Sequence, residues 1–150
     1  MTIKLNPFAA APTSMKHWMD ASMAIAKSLD PGLAHLVEIR ASQLNGCANC
    51  LNMHTAEARA RGETEQRLYL LSAWREAPCY TDRERAALAW TDALTTLSAD
   101  RLDAAREQLQ AHFSEEEQVS LTLMINIING WNRLAVGFGL WHEPAVKAAA

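Results

Sequence analysis

Asp30-Pro31-Gly32-Leu33-Ala34-His35-Leu36-Val37-Glu38-Ile39-Arg40-Ala41-Ser42-Gln43-Leu44-Asn45-Gly46-Cys47-Ala48-Asn49-Cys50-Leu51-Asn52-Met53-His54 contains the start of one helix, its end and the start of another. Asp30 is a good helix cap, and Pro31, with its fixed φ and missing N–H, suits the first helical position. Leu33, Leu36, Val37, Ala41 and Leu44 then recur every three or four residues, which predicts a buried stripe on a helix running to Asn45. Gly46 ends it. The next helix opens with Cys47 and Cys50 and continues to about Arg61, where Gly62 suits a left-handed stop.

Outward from this stretch the punctuation stays helical. Thr13 or Ser14 is positioned to cap a helix with an apolar stripe of Met15, Trp18, Met19, Met23, Ala26 and Leu29. Thr64 opens a short segment ending near Trp74, and Pro78 closes that region. Thr81-Asp82-Arg83-Glu84 and Ser114-Glu115-Glu116-Glu117 both fit the capping box, in which hydroxyl and carboxylate satisfy each other's backbone amides. Residues 101–111 read as a shorter helix between them. No strand alternation and no repeat appears, so the chain reads as one all-α domain, 1–150, of about seven helices, with 1–12 and 144–150 loose. The helix from Ser114 to about Val136 carries Leu121, Leu123, Met124, Ile125, Ile127 and Ile128 around most of its circumference. All-round burial predicts a central helix that also meets another subunit, hence a homo-oligomer.

Composition narrows the partners. The chain has 150 residues, 49% of them hydrophobic, a formal charge of −3 and only three cysteines. Its scattered basic residues form no footprint for nucleic acid or an anionic membrane. Asn126, Asn129, Asn132 and Arg133 interrupt the apolar 121–140 stretch, which reads as a buried helix rather than a membrane span. Asn6, Pro7 and Pro12 break any apolar signal core, so the chain is read as cytoplasmic. Three cysteines do not make a disulfide framework, and a close pair in a reducing compartment is catalytic or metal-binding.

On a helix, positions i, i+3 and i+7 share a face, so Cys47, Cys50 and His54 converge. Alpha-carbons three apart lie about 5 Å from each other, inside the roughly 4.4 to 6.8 Å that a disulfide tolerates. A helix start favours thiolate, and His54 is placed to take a proton from Cys50. A thiol with an ordinary pKa is about 3% ionised at pH 7, and one lowered to about 6 is about 90% ionised. A thiolate with a second thiol in reach suits peroxide reduction, through a sulfenic acid captured as a disulfide. The same residues with Cys79 or His35 also make a candidate zinc set.

The stretch 39–54 closely resembles the core of the carboxymuconolactone decarboxylase superfamily, in particular its AhpD-like alkylhydroperoxidase branch. Gly62-Glu63-Thr64-Glu65-Gln66-Arg67-Leu68-Tyr69, Ala73-Trp74-Arg75-Glu76-Ala77-Pro78, the run from Tyr80 to Trp90, and Ile128-Asn129-Gly130-Trp131-Asn132-Arg133 resemble further family blocks in family order, over about 31–136. The resemblance implies an all-α trimer or hexamer with thiol peroxidase activity toward hydroperoxides and no resident cofactor. It makes Cys50 the peroxidatic residue, Cys47 its resolving partner and His54 a member of the proton relay, and it allows recycling by a dithiol or lipoyl-bearing partner. It also puts Trp131 in the region that lines the site. A noncatalytic redox sensor on the same fold and the lyase reaction of the decarboxylase branch are the alternatives.

One departure stands out. The relay's acidic member in this family lies twelve residues before the first cysteine, where this chain has His35. Glu38, one turn on, or Glu57, three residues past His54, is the available substitute. A weak peroxidase follows, improved by His35→Glu. Cys79 reads as an inert thiol, His17, His112 and His142 as isolated, and Met15, Met19 and Met23 as core.

Overall fold

A computed structural model of the chain describes residues 4–142, and among them every regular element is helical. The order is α1 (Pro7–Ala10), α2 (Pro12–Ala26), α3 (Pro31–Asn45), α4 (Ala48–Ala60), α5 (Glu65–Leu70) with a 3-10 turn over Leu71–Ala73, α6 (Asp82–Thr96), α7 (Ala99–His112) and α8 (Glu115–Phe138). Among the described residues no helix is long and apolar enough to cross a membrane.

α3 is the organising element because it is buried on most sides. Leu33, Ala34 and Val37 join Ala86, Ala87 and Trp90 of α6 and Leu121, Met124 and Ile125 of α8 in one apolar cluster. Leu36 and Ile39 join a second, with Ala58, Leu68, Leu71 and Trp74. Its rotation is set by a buried ion pair. Arg40 Nε and Nη2 donate to the two carboxylate oxygens of Asp92 on α6 at 2.6 and 3.1 Å, and Trp74 Nε1 adds a bond to the same carboxylate at 3.3 Å. Such a fork holds two helices in one register and orientation. With Arg40 aimed at α6, the opposite face of α3, bearing His35, Glu38 and Ser42, is turned toward α4 and α8.

Caps behave as the residues predict at most ends. Asp30 Oδ1 accepts the Leu33 amide, Thr64 caps α5, and both capping boxes, Thr81 with Glu84 and Ser114 with Glu117, are formed. The N-terminal region differs from the reading as loose chain. Asn6 Oδ1 accepts the amides of Phe8 and Ala9 to start α1, and Lys4 N–H bonds the Phe138 carbonyl at 2.9 Å. Neither Thr13 nor Ser14 caps α2, which starts at Pro12 behind Ala11 with no side-chain cap and ends at Ala26. α1 accounts for the helix beyond the seven expected; residues 143–150 lie outside the described ones.

Two packing expectations need correction. Among the described residues α8 is not covered all round: Val119 and Leu123, one turn apart, are 60% and 43% exposed, and Val136, near the other end, is 51% exposed. Met15 is core, whereas Met19 and Met23 are exposed at the rim of a cavity between α2 and α8.

Candidate active site

The α3–α4 junction positions the thiols. Gly46 adopts φ 64°, and the chain closes with Gly46 N–H to the Gln43 carbonyl at 3.3 Å and Cys47 N–H to the Ser42 carbonyl at 3.0 Å. This six-to-one and five-to-two pair of bonds is a Schellman stop, which needs a residue tolerant of positive φ. Cys47 therefore ends one helix and caps the next. Its Sγ accepts the Cys50 amide at 3.3 Å, the place an aspartate or serine oxygen takes at other helix starts. Both thiols are free and buried, Cys47 at 1% and Cys50 at 4% exposure.

α8 supplies a polar group that the sequence reading passed over. Asn132, 1% exposed, accepts from Asn45 Nδ2 at 2.8 Å and donates to Ser42 Oγ at 3.0 Å. Its amide also lies close enough to both sulfurs to favour their ionised forms. The signal was available, since a buried asparagine in an apolar helix must have partners.

The two thiols share a proton. The Cys50 thiol hydrogen bond and, against burial, the Cys50 amide, Asn132 and His54 lower the Cys47 thiol from its ordinary value to about 6. The same bond, with burial, pushes Cys50 far above the thiol range. In the reduced protein Cys47 is thus the anion and Cys50 its donor.

His54 and the acidic side chains form the second half. Glu38 Oε2 lies 3.0 Å from His35 Nδ1 and 3.2 Å from His54 Nδ1, and Glu57 Oε2 lies 3.1 Å from the same His54 nitrogen. Burial alone would raise the Glu38 carboxyl, but hydrogen bonds from His35 and His54 hold it down at about 2. Burial likewise works against the His54 cation, and Glu38 and Glu57 outweigh it, raising His54 to about 9. His54 at neutral pH is an imidazolium, already carrying the proton that a general base would have to accept. His35 fills the position where the resemblance expects an acid, and Glu38, one helical turn away, is its hydrogen-bond partner.

Cys50, Glu38 and His54 line a cavity of about 680 Å³ walled by α2, α4 and α8, and Cys47 lies behind its surface. Met19, Met23, Ile127 and Trp131 make the rest of the wall largely apolar. Trp131 stacks on Phe8 at 6.2 Å and donates Nε1 to Ser22 Oγ at 3.0 Å, so the N-terminal helices form one side. His142, read as isolated, also lines the cavity, and its amide is held by Asn49 Oδ1. Cys79 lies apart from the site, packed beside the second apolar cluster. The zinc set built on the cysteines is not gathered. Among the described residues the group with metal-ligand spacing is His35, Glu38 and His54, whose ligand atoms lie within 4.8 Å of one another.

The model of the carboxymuconolactone decarboxylase family matches residues 12–93. An uncharacterised Bacillus subtilis (strain 168) protein, YdfG, is 40% identical over 141 residues, which are 93% of this chain and 96% of that protein. The crystal structure of an Agrobacterium tumefaciens protein of unknown function, provisionally described as the antioxidant defence protein AhpD, has a TM-score of 0.90 and 43% identity, with 95% of this chain and 99% of that one covered. The apo debrominase Bmp8 shares the fold, with a TM-score of 0.79 at 18% identity over 92% of this chain and 75% of its own. The paired thiols at the α3–α4 junction and the helical frame around them thus belong to a chain of the carboxymuconolactone decarboxylase family, in its AhpD-like branch.

Proposed function

We propose that the protein reduces organic hydroperoxides through a reversible Cys47–Cys50 disulfide. The observation that carries this reading is the arrangement of the two sulfurs: Cys50 lies in the wall of an apolar cavity, Cys47 lies behind it and shares its proton, and an imidazolium lines the same cavity.

The resting pair holds one proton. Transfer of that proton from Cys50 to Cys47 along their hydrogen bond makes the cavity-facing sulfur the nucleophile. The Cys50 thiolate attacks the terminal oxygen of the hydroperoxide, the O–O bond breaks, and the departing alkoxide takes a proton from His54 and leaves as the alcohol. Cys50 is then a sulfenic acid. Cys47 attacks its sulfur, the S–S bond forms, and hydroxide leaves with the Cys47 proton as water. Hydroperoxide and two thiols have become alcohol, water and a disulfide, which an external dithiol reduces. Glu38 and Glu57 keep His54 charged and oriented between turnovers, and His54 acts as proton donor rather than base. The apolar wall fits the organic part of the substrate.

Intact-mass analysis before and after substoichiometric cumene hydroperoxide tests this. The expected product has lost two hydrogens within the 47–50 peptide, and Cys47→Ser stops at a trappable sulfenic acid on Cys50. Peroxide consumption without that mass loss, or turnover surviving in Cys50→Ser, overturns the reading.

A further inference from the structure

We propose that His35, Glu38 and His54 form a binding site for a first-row divalent metal ion of the zinc type, at the wall of the cavity and separate from the cysteines. Three observations point there. First, the ligand atoms are already gathered: each is within 4.8 Å of the others, and Glu38 Oε2 lies 3.0 Å from His35 Nδ1 and 3.2 Å from His54 Nδ1. A tetrahedral zinc with bonds of about 2.0 to 2.2 Å separates its ligands by about 3.4 Å, so these two edges need open by only a few tenths of an ångström. Second, the donors sit on rigid elements, His35 and Glu38 at i, i+3 on α3 and His54 on α4, with side chains only 13%, 14% and 15% exposed. Third, His35 Nε2 is buried without a hydrogen-bond partner, so the ring is not fully engaged by the fold.

The donor set selects the ion. Two imidazoles and one carboxylate suit zinc, cobalt(II) and iron(II), whereas magnesium and calcium require more oxygen ligands. Among the described residues Glu38 pairs with the two histidines and with no lysine or arginine, and the Glu57 carboxylate lies against His54, so a dication meets two carboxylates there. Three protein ligands leave a coordination position open toward the cavity that Glu38 and His54 line. The metal replaces protons: those on the ligating ring nitrogens leave to solvent as the bonds form. A metal-bound His54 keeps only the N–H of its other ring nitrogen, a far weaker acid than the imidazolium, so occupancy slows hydroperoxide reduction. Only this last consequence rests on the peroxidase reading.

Cobalt(II) added to reduced, chelator-treated protein tests the site. The expected spectrum shows visible ligand-field bands saturating at one equivalent, without a near-ultraviolet thiolate-to-cobalt band, and is the same in Cys47→Ser/Cys50→Ser. Glu38→Gln weakens cobalt binding by about 10- to 100-fold. As a second readout, zinc raises the melting temperature of the wild-type protein by mass action. His35→Asn removes that rise while its zinc-free melt stays cooperative. A thiolate band that disappears in the double-serine variant overturns the proposal, as does the absence of both bands and melting shift. If the bands appear and the same protein, chelator-treated and metal-free, turns over no hydroperoxide, the metal site stands and the peroxidase reading fails.

Discussion

At the scale of the residue, the site is a division of protons between two groups. Cys47 is the more acidic thiol because the Cys50 thiol, the Cys50 amide and the neighbouring Asn132 amide all favour its ionised form. The pair should lose its first proton at about pH 6, since a lowered thiol is ionised above its folded pKa and protonated below it. Thiolate absorbance followed against pH in reduced protein reads this, and in Cys50→Ala, with the donating thiol gone, the midpoint moves up toward the ordinary thiol value. Glu38→Gln keeps the shape but removes the charge facing His54, and hydroperoxide turnover should drop by about 100-fold in chelator-treated protein. His35→Glu, a gain on the sequence alone, becomes a loss. His35 Nδ1 sits 3.0 Å from Glu38, so a second carboxylate meets the first, and steady-state rates in the variant should be lower than in the wild type. The cysteines and His54 were legible because their spacing on a helix places them together. Asn132 was not, since nothing local to α8 says which of its polar residues faces a thiol on α4.

At the scale of the element, helix ends carry most of the information. The Thr81 and Ser114 capping boxes, the Asp30 cap and the Gly46 stop are written within four residues of each terminus, and all four are formed as the residues predict. α1 has only four residues, too few to show a period, although Asn6-Pro7 carries the same cap-and-proline signal as Asp30-Pro31, and α2 starts without a side-chain cap. Two substitutions test the packing and the ends. A Cβ on Gly130 of α8 would lie 2.5 and 2.9 Å from ring carbons of Trp18, so α2 packs where only glycine permits it. Gly130→Ala should cost about 1 to 3 kcal/mol in chemical denaturation by forcing the helices apart. Leu97 closes α6 with φ 49°, a left-handed conformation that costs a branched residue about 1 kcal/mol, and its side chain is exposed. Leu97→Gly should raise the denaturation midpoint, by up to about 1 kcal/mol in stability.

At the scale of the whole molecule, the cavity is the product of distant segments. Trp131 of α8 meets Phe8 and Trp18 at ring separations of 6.2 and 6.1 Å, and Asn52 of α4 donates to the His142 carbonyl at 2.9 Å. Val119 and Leu123, exposed apolar residues one turn apart on α8, lead us to expect self-association, with a second copy covering that side. Light scattering at micromolar concentration should give a multiple of 16.6 kDa, and Leu123→Lys should lower it; a monomeric mass in the wild-type protein removes the expectation. The sequence by itself determined the helical class, most helix boundaries and the convergence of Cys47, Cys50 and His54, because periodicity, caps and i, i+3, i+7 spacing act within a single helix or its ends. Only the tertiary structure decided that Glu38 stands between His35 and His54, that Asn132 sits beside the thiols and that His54 is raised by two carboxylates. Each of these depends on how α3, α4 and α8 are rotated against one another, and that rotation is set by core packing and the Arg40–Asp92 pair between residues far apart along the chain.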